Sequence, residues 1–118
     1  MKEDRIYLLH IRDALERILS YTAPGKQAFF VGPRTQDAVI RNLEGVGEAV
    51  KNFSDSLNAR DATVPWKRIA GMRDKMIHEY FGVNLQFVWD AIEQEVPRLQ
   101  QKTEAILREW DEGSRSED

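Results

Sequence analysis

Residues 35–55 read TQDAVIRNLEGVGEAVKNFSD, and their spacing decides the fold class. Val39, Leu43, Val46, Val50 and Phe53, followed by Leu57, recur at alternating steps of four and three. Side chains three and four apart share one face of a helix, so these positions make a sustained, heptad-like apolar seam. Thr35 is placed to cap this helix, and Asp37 falls in its first turn, where the helix dipole favours an anion. Gly45 and Gly47 interrupt the helix interior, each at a cost of about 1 kcal/mol relative to alanine. Glycines tolerated at that cost predict a close approach by another backbone or by a ligand.

The same period extends outward in both directions. A first helix is predicted from about Asp4 to Tyr21, with Tyr7 or Leu8, Ile11, Ala14 or Leu15, Ile18 and Tyr21 on its apolar stripe. Pro24 and Gly25 end it, and Phe29, Phe30 and Val31 form a short buried linker before Gly32 and Pro33. Residues 58–65, NARDATVP, are expected to be a loop, and Trp66 to open a short turn. A third helix runs from Met72 to about Phe81 and stops at Gly82. A fourth follows Asn84 as N-cap, with Val83 and Val88 placed for a hydrophobic staple. Its core face is Leu85, Val88 or Trp89, Ile92, Val96, Leu99, Thr103, Ile106 and Trp110, and Pro97 should kink it. The expected fold is all-α, an antiparallel bundle of four to five helices over residues 1–110, with residues 111–118, DEGSRSED, as a flexible acidic tail.

Composition narrows the function. With no cysteine in 118 residues, thiolate catalysis, disulfides and cysteine-ligated metals are excluded. The opening MKEDRIYLLHIRD lacks the apolar run of a signal peptide, and no apolar segment approaches the ~18 residues of a membrane span. A cytoplasmic protein without a membrane partner is expected. The net charge of −3 argues against a general nucleic-acid-binding face but leaves room for a local site. No pair of histidines has metal-ligand spacing, no glycine-rich phosphate loop is present, and neither metal nor cofactor is expected.

The chemistry concentrates in residues 71–83, GMRDKMIHEYFGV. Arg73 and His78 are separated on a straight helix by about 7.5 Å of rise and about 140° of rotation, so they do not stack on one face. A long arginine can still converge with the histidine on a ligand lying across the helix end. Arg73 and Tyr80 share a face, as do Asp74 and His78. Histidine exchanges a proton near neutral pH, and arginine holds phosphate oxygens as charge grows on them. RNA carries its own nucleophile, the 2′-hydroxyl, so this pair suits metal-free RNA cleavage that leaves a cyclic phosphate. The plainer reading is a solvent-facing arginine, a half-buried histidine and two core aromatics, Tyr80 and Phe81. His10, beside the first core stripe, reads as structural. On residues alone, the chain is a helical bundle in which this segment is either a phosphate-binding site or a solvated helix face.

Three segments resemble, in order, the blocks of one family: TQDAVIRNLEGVGEAVKNFSD (35–55), VPWKRIAGMRDKMIHEYFGVN (64–84) and VWDAIEQEVPRL (88–99). Arg73-x4-His78-x-Tyr80 is similar to the R-x(4–6)-H-x-Y signature of the HepT-like ribonuclease toxins, a branch of the HEPN superfamily. The resemblance covers residues from about 4 to 108. It implies a homodimer and a metal-independent endoribonuclease, the toxin of a type VII-like toxin–antitoxin module. Arg73 would bind and stabilise the phosphate, and His78 would be the acid or base. Asp74 stands where the family often has asparagine. There it would orient His78 and favour its protonated form, while repelling an RNA phosphate.

The implied partner is a minimal nucleotidyltransferase antitoxin of the MNT type, which transfers AMP to the tyrosine matched by Tyr80. AMP there adds bulk and negative charge close to His78 and repels RNA. A symmetric dimer paired along the glycine-bearing helix would bring two Arg73–His78 pairs toward one groove. Arg41 and Glu48, seven apart on one side of that helix, are expected to help line it. Two other functions fit the same residues. One is a non-catalytic bundle that binds a nucleotide or a partner. The other is the restraining component of a nucleotidyltransferase pair.

Overall fold

The computed structural model describes residues 2–60, 66, 68, 70, 71 and 84–116. Six helices are described: α1 (Lys2–Thr22), α2 (Lys26–Val31), α3 (Pro33–Lys51), α4 (Asp55–Arg60), α5 (Leu85–Gln94) and α6 (Val96–Ser116). There is no strand among the described residues. The fold is all-α, as the periodicity predicts.

The centre of the bundle is α1, which packs along α3 on one side and α6 on the other. Both neighbours run antiparallel to it. Asp4 at the start of α1 bonds Ser54 just past the end of α3, whereas Arg17 bonds Asn42 halfway along α3. On the other side, Arg5 pairs with Asp111 near the end of α6, at 2.8 Å. Leu8, Ile11, Leu15 and Ile18 of α1 are fully buried against Val39, Val46, Val88 and Val96. The expected stripe holds except at its end. Tyr21 is exposed, and Thr22 is buried in its place. The run Ile11, Leu15, Ile18, Thr22 keeps the four-three-four step, and the Thr22 hydroxyl donates to the Ile18 carbonyl at 2.8 Å.

The start of α3 departs from expectation. Gly32 is the N-cap and Pro33 the first helical residue, so the helix opens two residues before Thr35. Proline suits that position because its φ is already helical and its missing N–H is not needed there. Gln36 then donates to the carbonyls of Phe29 and Phe30 at 2.9 and 3.2 Å, fastening α3 to α2. The linker is thus one short helix with Phe29 buried against Trp89, ring centroids 5.5 Å apart, and Val31 exposed.

The apolar seam of residues 39–57 is continuous in space but not in one helix. α3 stops at Lys51, Phe53 and Leu57 stay buried, and residues 55–60 form α4 instead of opening the expected loop. The break is made by Ser54. Its hydroxyl accepts from the Leu57 N–H at 3.2 Å, capping α4, while donating to Asp4 at 2.5 Å; its own N–H donates to Asp4 at 2.9 Å. Phe53 meets the helical residue Trp66 edge-on, centroids 5.0 Å apart.

Asn84 caps α5 as expected, its Oδ1 accepting from the N–H groups of Gln86 and Phe87 at 2.9 and 3.2 Å. Val83, its staple partner, lies outside the described residues, as does the predicted helix of 72–81. The expected long fourth helix is interrupted just before Pro97, where the backbone stays in the right-handed helical region at Glu95. Pro97 sits in the first turn of α6, where a missing N–H costs little. The helix then continues through Ser116, so most of the expected tail is helical, with Asp111 paired to Arg5 and Glu109 to Arg60. No helix among the described residues is long and apolar enough to cross a membrane.

Asp4 is almost fully buried, and both its carboxylate oxygens are engaged by Ser54. Truncating one partner of such a set leaves buried donors unpaired. Asp4→Ala is therefore expected to lower unfolding stability by about 1–3 kcal/mol. A urea titration checks this, and an unchanged midpoint would contradict it.

Candidate functional site

The signature residues Arg73, Asp74, His78 and Tyr80 lie outside the described residues. Arg41 and Glu48, the two residues expected to support them, are both exposed on α3 and line one groove. Its volume is about 510 Å³. From α1 come Tyr7, His10, Ala14 and Arg17; from α3 come Arg41, Asn42, Gly45, Glu48 and Ala49.

Helical phase explains why these residues meet. On α1 the four positions advance by three, four and three, a stripe running beside the buried one. On α3, Arg41, Gly45 and Glu48 advance by four and three on the side flanking the core seam. The antiparallel register sets Arg17 level with Arg41 and Asn42, and sets His10 near Glu48 and Ala49. The groove is therefore polarised. Two guanidinium groups stand at one end. An imidazole, a phenol and a carboxylate stand at the other.

The cationic end is partly pre-ordered. Asn42 donates through Nδ2 to the Ala38 carbonyl at 2.8 Å, which turns its Oδ1 outward. That oxygen accepts from Arg17 Nε at 2.9 Å. The bond fixes the plane of the guanidinium and leaves its terminal nitrogens for another acceptor. Arg41 has no hydrogen bond or ion pair among the described residues. Between the two ends the α3 wall is low. A methyl group built on Gly45 meets nothing within 4 Å, and Ala14 and Ala49 add little bulk. The expected close approach at Gly45 is thus not made by this chain's own described residues. Gly47 is buried.

Tyr7, His10, Arg17 and Asn42 are polar groove residues that the sequence did not assign to the site. His10 was expected to be structural, yet it is exposed on the groove wall. The available signal was the second stripe on α1, at helical spacing and carrying an imidazole and a guanidinium.

The chain belongs to the family described as Ribonuclease HepT-like, whose profile matches residues 11–106. That range takes in α2 to α5 whole, about half of α1 and of α6, and the segment carrying Arg73, His78 and Tyr80. A protein of Caldanaerobacter subterraneus subsp. tengcongensis called "Putative RNase" is 42% identical, over 92% of this chain and 97% of its own length. One of Thermococcus cleftensis called "Probable ribonuclease HepT" is 39% identical, over 86% and 94%. One of Methanocaldococcus jannaschii called "Gamma-glutamylcyclotransferase and putative RNase" is 39% identical over 93% of this chain, but the match takes up only 50% of that longer protein. No solved structure gave a significant match. Family and fold together define an all-α bundle of the HEPN type and place the chain among ribonucleases.

Because Gly45 is helical and its side faces open space, adding a methyl group should restrict only the unfolded chain. Gly45→Ala is expected to stabilise the protein by about 0.5–1 kcal/mol, read as a higher urea midpoint. Destabilisation of similar size would show that another surface packs closely there.

Proposed function

We propose that the chain is a metal-independent endoribonuclease whose catalytic residues are Arg73 and His78, acting as the toxin of a two-gene module. The observation that carries this reading is the family match over residues 11–106, which brackets Arg73-x4-His78-x-Tyr80. The relatives' names, which refer to RNases, support the substrate class.

The chemistry follows from the two side chains. Arg73 holds the non-bridging oxygens of the scissile phosphate and stabilises the charge that grows there. His78 moves the proton. The 2′-oxygen attacks phosphorus, a P–O2′ bond forms, the P–O5′ bond breaks, and the departing 5′-oxygen takes a proton. A 2′,3′-cyclic phosphate and a 5′-hydroxyl result. Asp74, four residues before His78 in the sequence, orients the imidazole.

The active form is a homodimer, in which two copies of the pair face one cleft and Arg41 and Glu48 stand on its wall. Two local arginine pairs then outweigh an otherwise acidic surface. Silencing comes from an MNT-type nucleotidyltransferase that moves AMP from ATP onto the Tyr80 oxygen: the phenol loses its proton, an O–P bond forms to the α-phosphorus, the bond from that phosphorus to the β-phosphate breaks, and pyrophosphate leaves. The adduct fills the cleft and repels RNA.

Arg73→Ala and His78→Ala are each expected to reduce RNA cleavage by at least about 100-fold, the scale of a lost acid–base group or charge-stabilising donor, without changing solution mass. Cleavage by His78→Ala at the wild-type rate would remove the proposed chemistry. The protein co-expressed with its neighbouring transferase is expected to gain intact mass in steps of one AMP. Tyr80→Phe should abolish the gain; a gain that persists would place the modification elsewhere.

A further inference from the structure

We propose that the α1–α3 groove is a nucleotide-binding subsite, with phosphate held by Arg17 and Arg41 and the base seated toward Tyr7 and His10. None of its residues belongs to the signature motif, and Arg41 is one of the two residues placed above on the wall of the catalytic cleft.

Four observations converge on it. First, the groove holds about 510 Å³, a volume in the range of small-ligand sites. Second, its two arginines lie level across the groove. Arg17 is pinned through Nε by Asn42, and Arg41 has no partner among the described residues. A guanidinium plane held by one bond presents its remaining donors as a fork, the geometry that matches a phosphate. Third, about 10 Å of helix separates Arg17 from His10, which is close to the reach of one nucleotide from phosphate to base. Fourth, Gly45 lowers the wall between those ends, so a sugar ring can lie against the helix backbone.

The far end selects for a base. Tyr7 and His10 offer ring faces for stacking, which tolerates any base.

The ligand is a nucleoside monophosphate unit, and it has two sources: one nucleotide of a single-stranded RNA, or a free mononucleotide. The first deepens the ribonuclease reading and rests on it. The test therefore reads binding rather than cleavage. The full-length protein is titrated into a fluorescein-labelled, fully 2′-O-methylated RNA octamer. This strand lacks the attacking hydroxyl and stays intact whatever Arg73 and His78 do. Unlabelled AMP is the competitor.

Arg17→Ala and Arg41→Ala are each expected to weaken octamer binding about tenfold, and each should reduce the slope of log affinity against log salt by about 0.7. Gly45→Leu should weaken it similarly while leaving the salt slope unchanged, because it fills the groove without removing charge. Competition by AMP, lost in Arg41→Ala, assigns the groove to free nucleotides. Failure of AMP to compete assigns it to the strand. If the wild type binds the octamer and the variants lose it while no RNA is ever cleaved, the groove stands and the cleavage chemistry falls. Unchanged affinity in both arginine variants overturns the subsite. So does a loss of affinity accompanied by a halved solution mass, which would make the groove an interface between copies.

Discussion

The antiparallel pairing of α1 with α3 is the constraint on which the rest depends. It is fastened at two points. Near one end the buried Asp4 accepts two hydrogen bonds from Ser54, and farther along Arg17 donates to Asn42. Between these fasteners Leu8, Ile11, Leu15 and Ile18 bury against the α3 seam. Apolar packing supplies most of the stability, but it is tolerant of sliding by a helical turn. The two polar contacts are not, because a displaced Asp4 would leave buried donors and acceptors unpaired. Register then determines what faces solvent. Fixing it sets Arg17 beside Arg41 and His10 near Glu48, so the groove follows from the packing of the core.

The same pairing frees the opposite side of α1 for α6. Phe29 closes the bundle against Trp89 near the α2–α3 turn, and Arg5 with Asp111 marks the other end. That ion pair is exposed and worth little by itself. Leu107 in the core and Trp110 packed against it hold the end of α6 on the bundle, and the helix continues through Ser116, where the acidic composition of residues 111–118 suggested a free tail.

Much of the fold was legible because burial imposes a period. Val39, Leu43, Val46 and Val50 could be read as a helix face from spacing alone, and the cap at Asn84 from residue type followed by an apolar run. What escaped was decided by side-chain hydrogen bonds between segments distant in sequence. The seam from Val39 to Leu57 has an unbroken helical period, yet the chain breaks at Ser54, because a carboxylate fifty residues away engages it. Thr35 was a sound cap by residue type, but Gly32 and Pro33 together end the linker and start the helix earlier. For the site, Arg41 and Glu48 could be paired from their separation. Tyr7, His10 and Arg17 could not be added, since a polar stripe beside a core stripe has the same appearance whether it meets water or a ligand. The family blocks pointed to Arg73, His78 and Tyr80; the arginine–histidine spacing alone did not distinguish catalysis from a solvated helix face.

A ribonuclease that uses the substrate's own 2′-hydroxyl leaves a chemical record of doing so. The most direct measurement is the mass of the fragment ends produced when the purified protein cuts a defined single-stranded RNA in the presence of EDTA. Attack by the 2′-oxygen predicts fragments ending in a 2′,3′-cyclic phosphate, each followed by a fragment beginning with a 5′-hydroxyl. Fragments with 3′-hydroxyl and 5′-phosphate ends, or cleavage that stops when EDTA is added, would contradict the account.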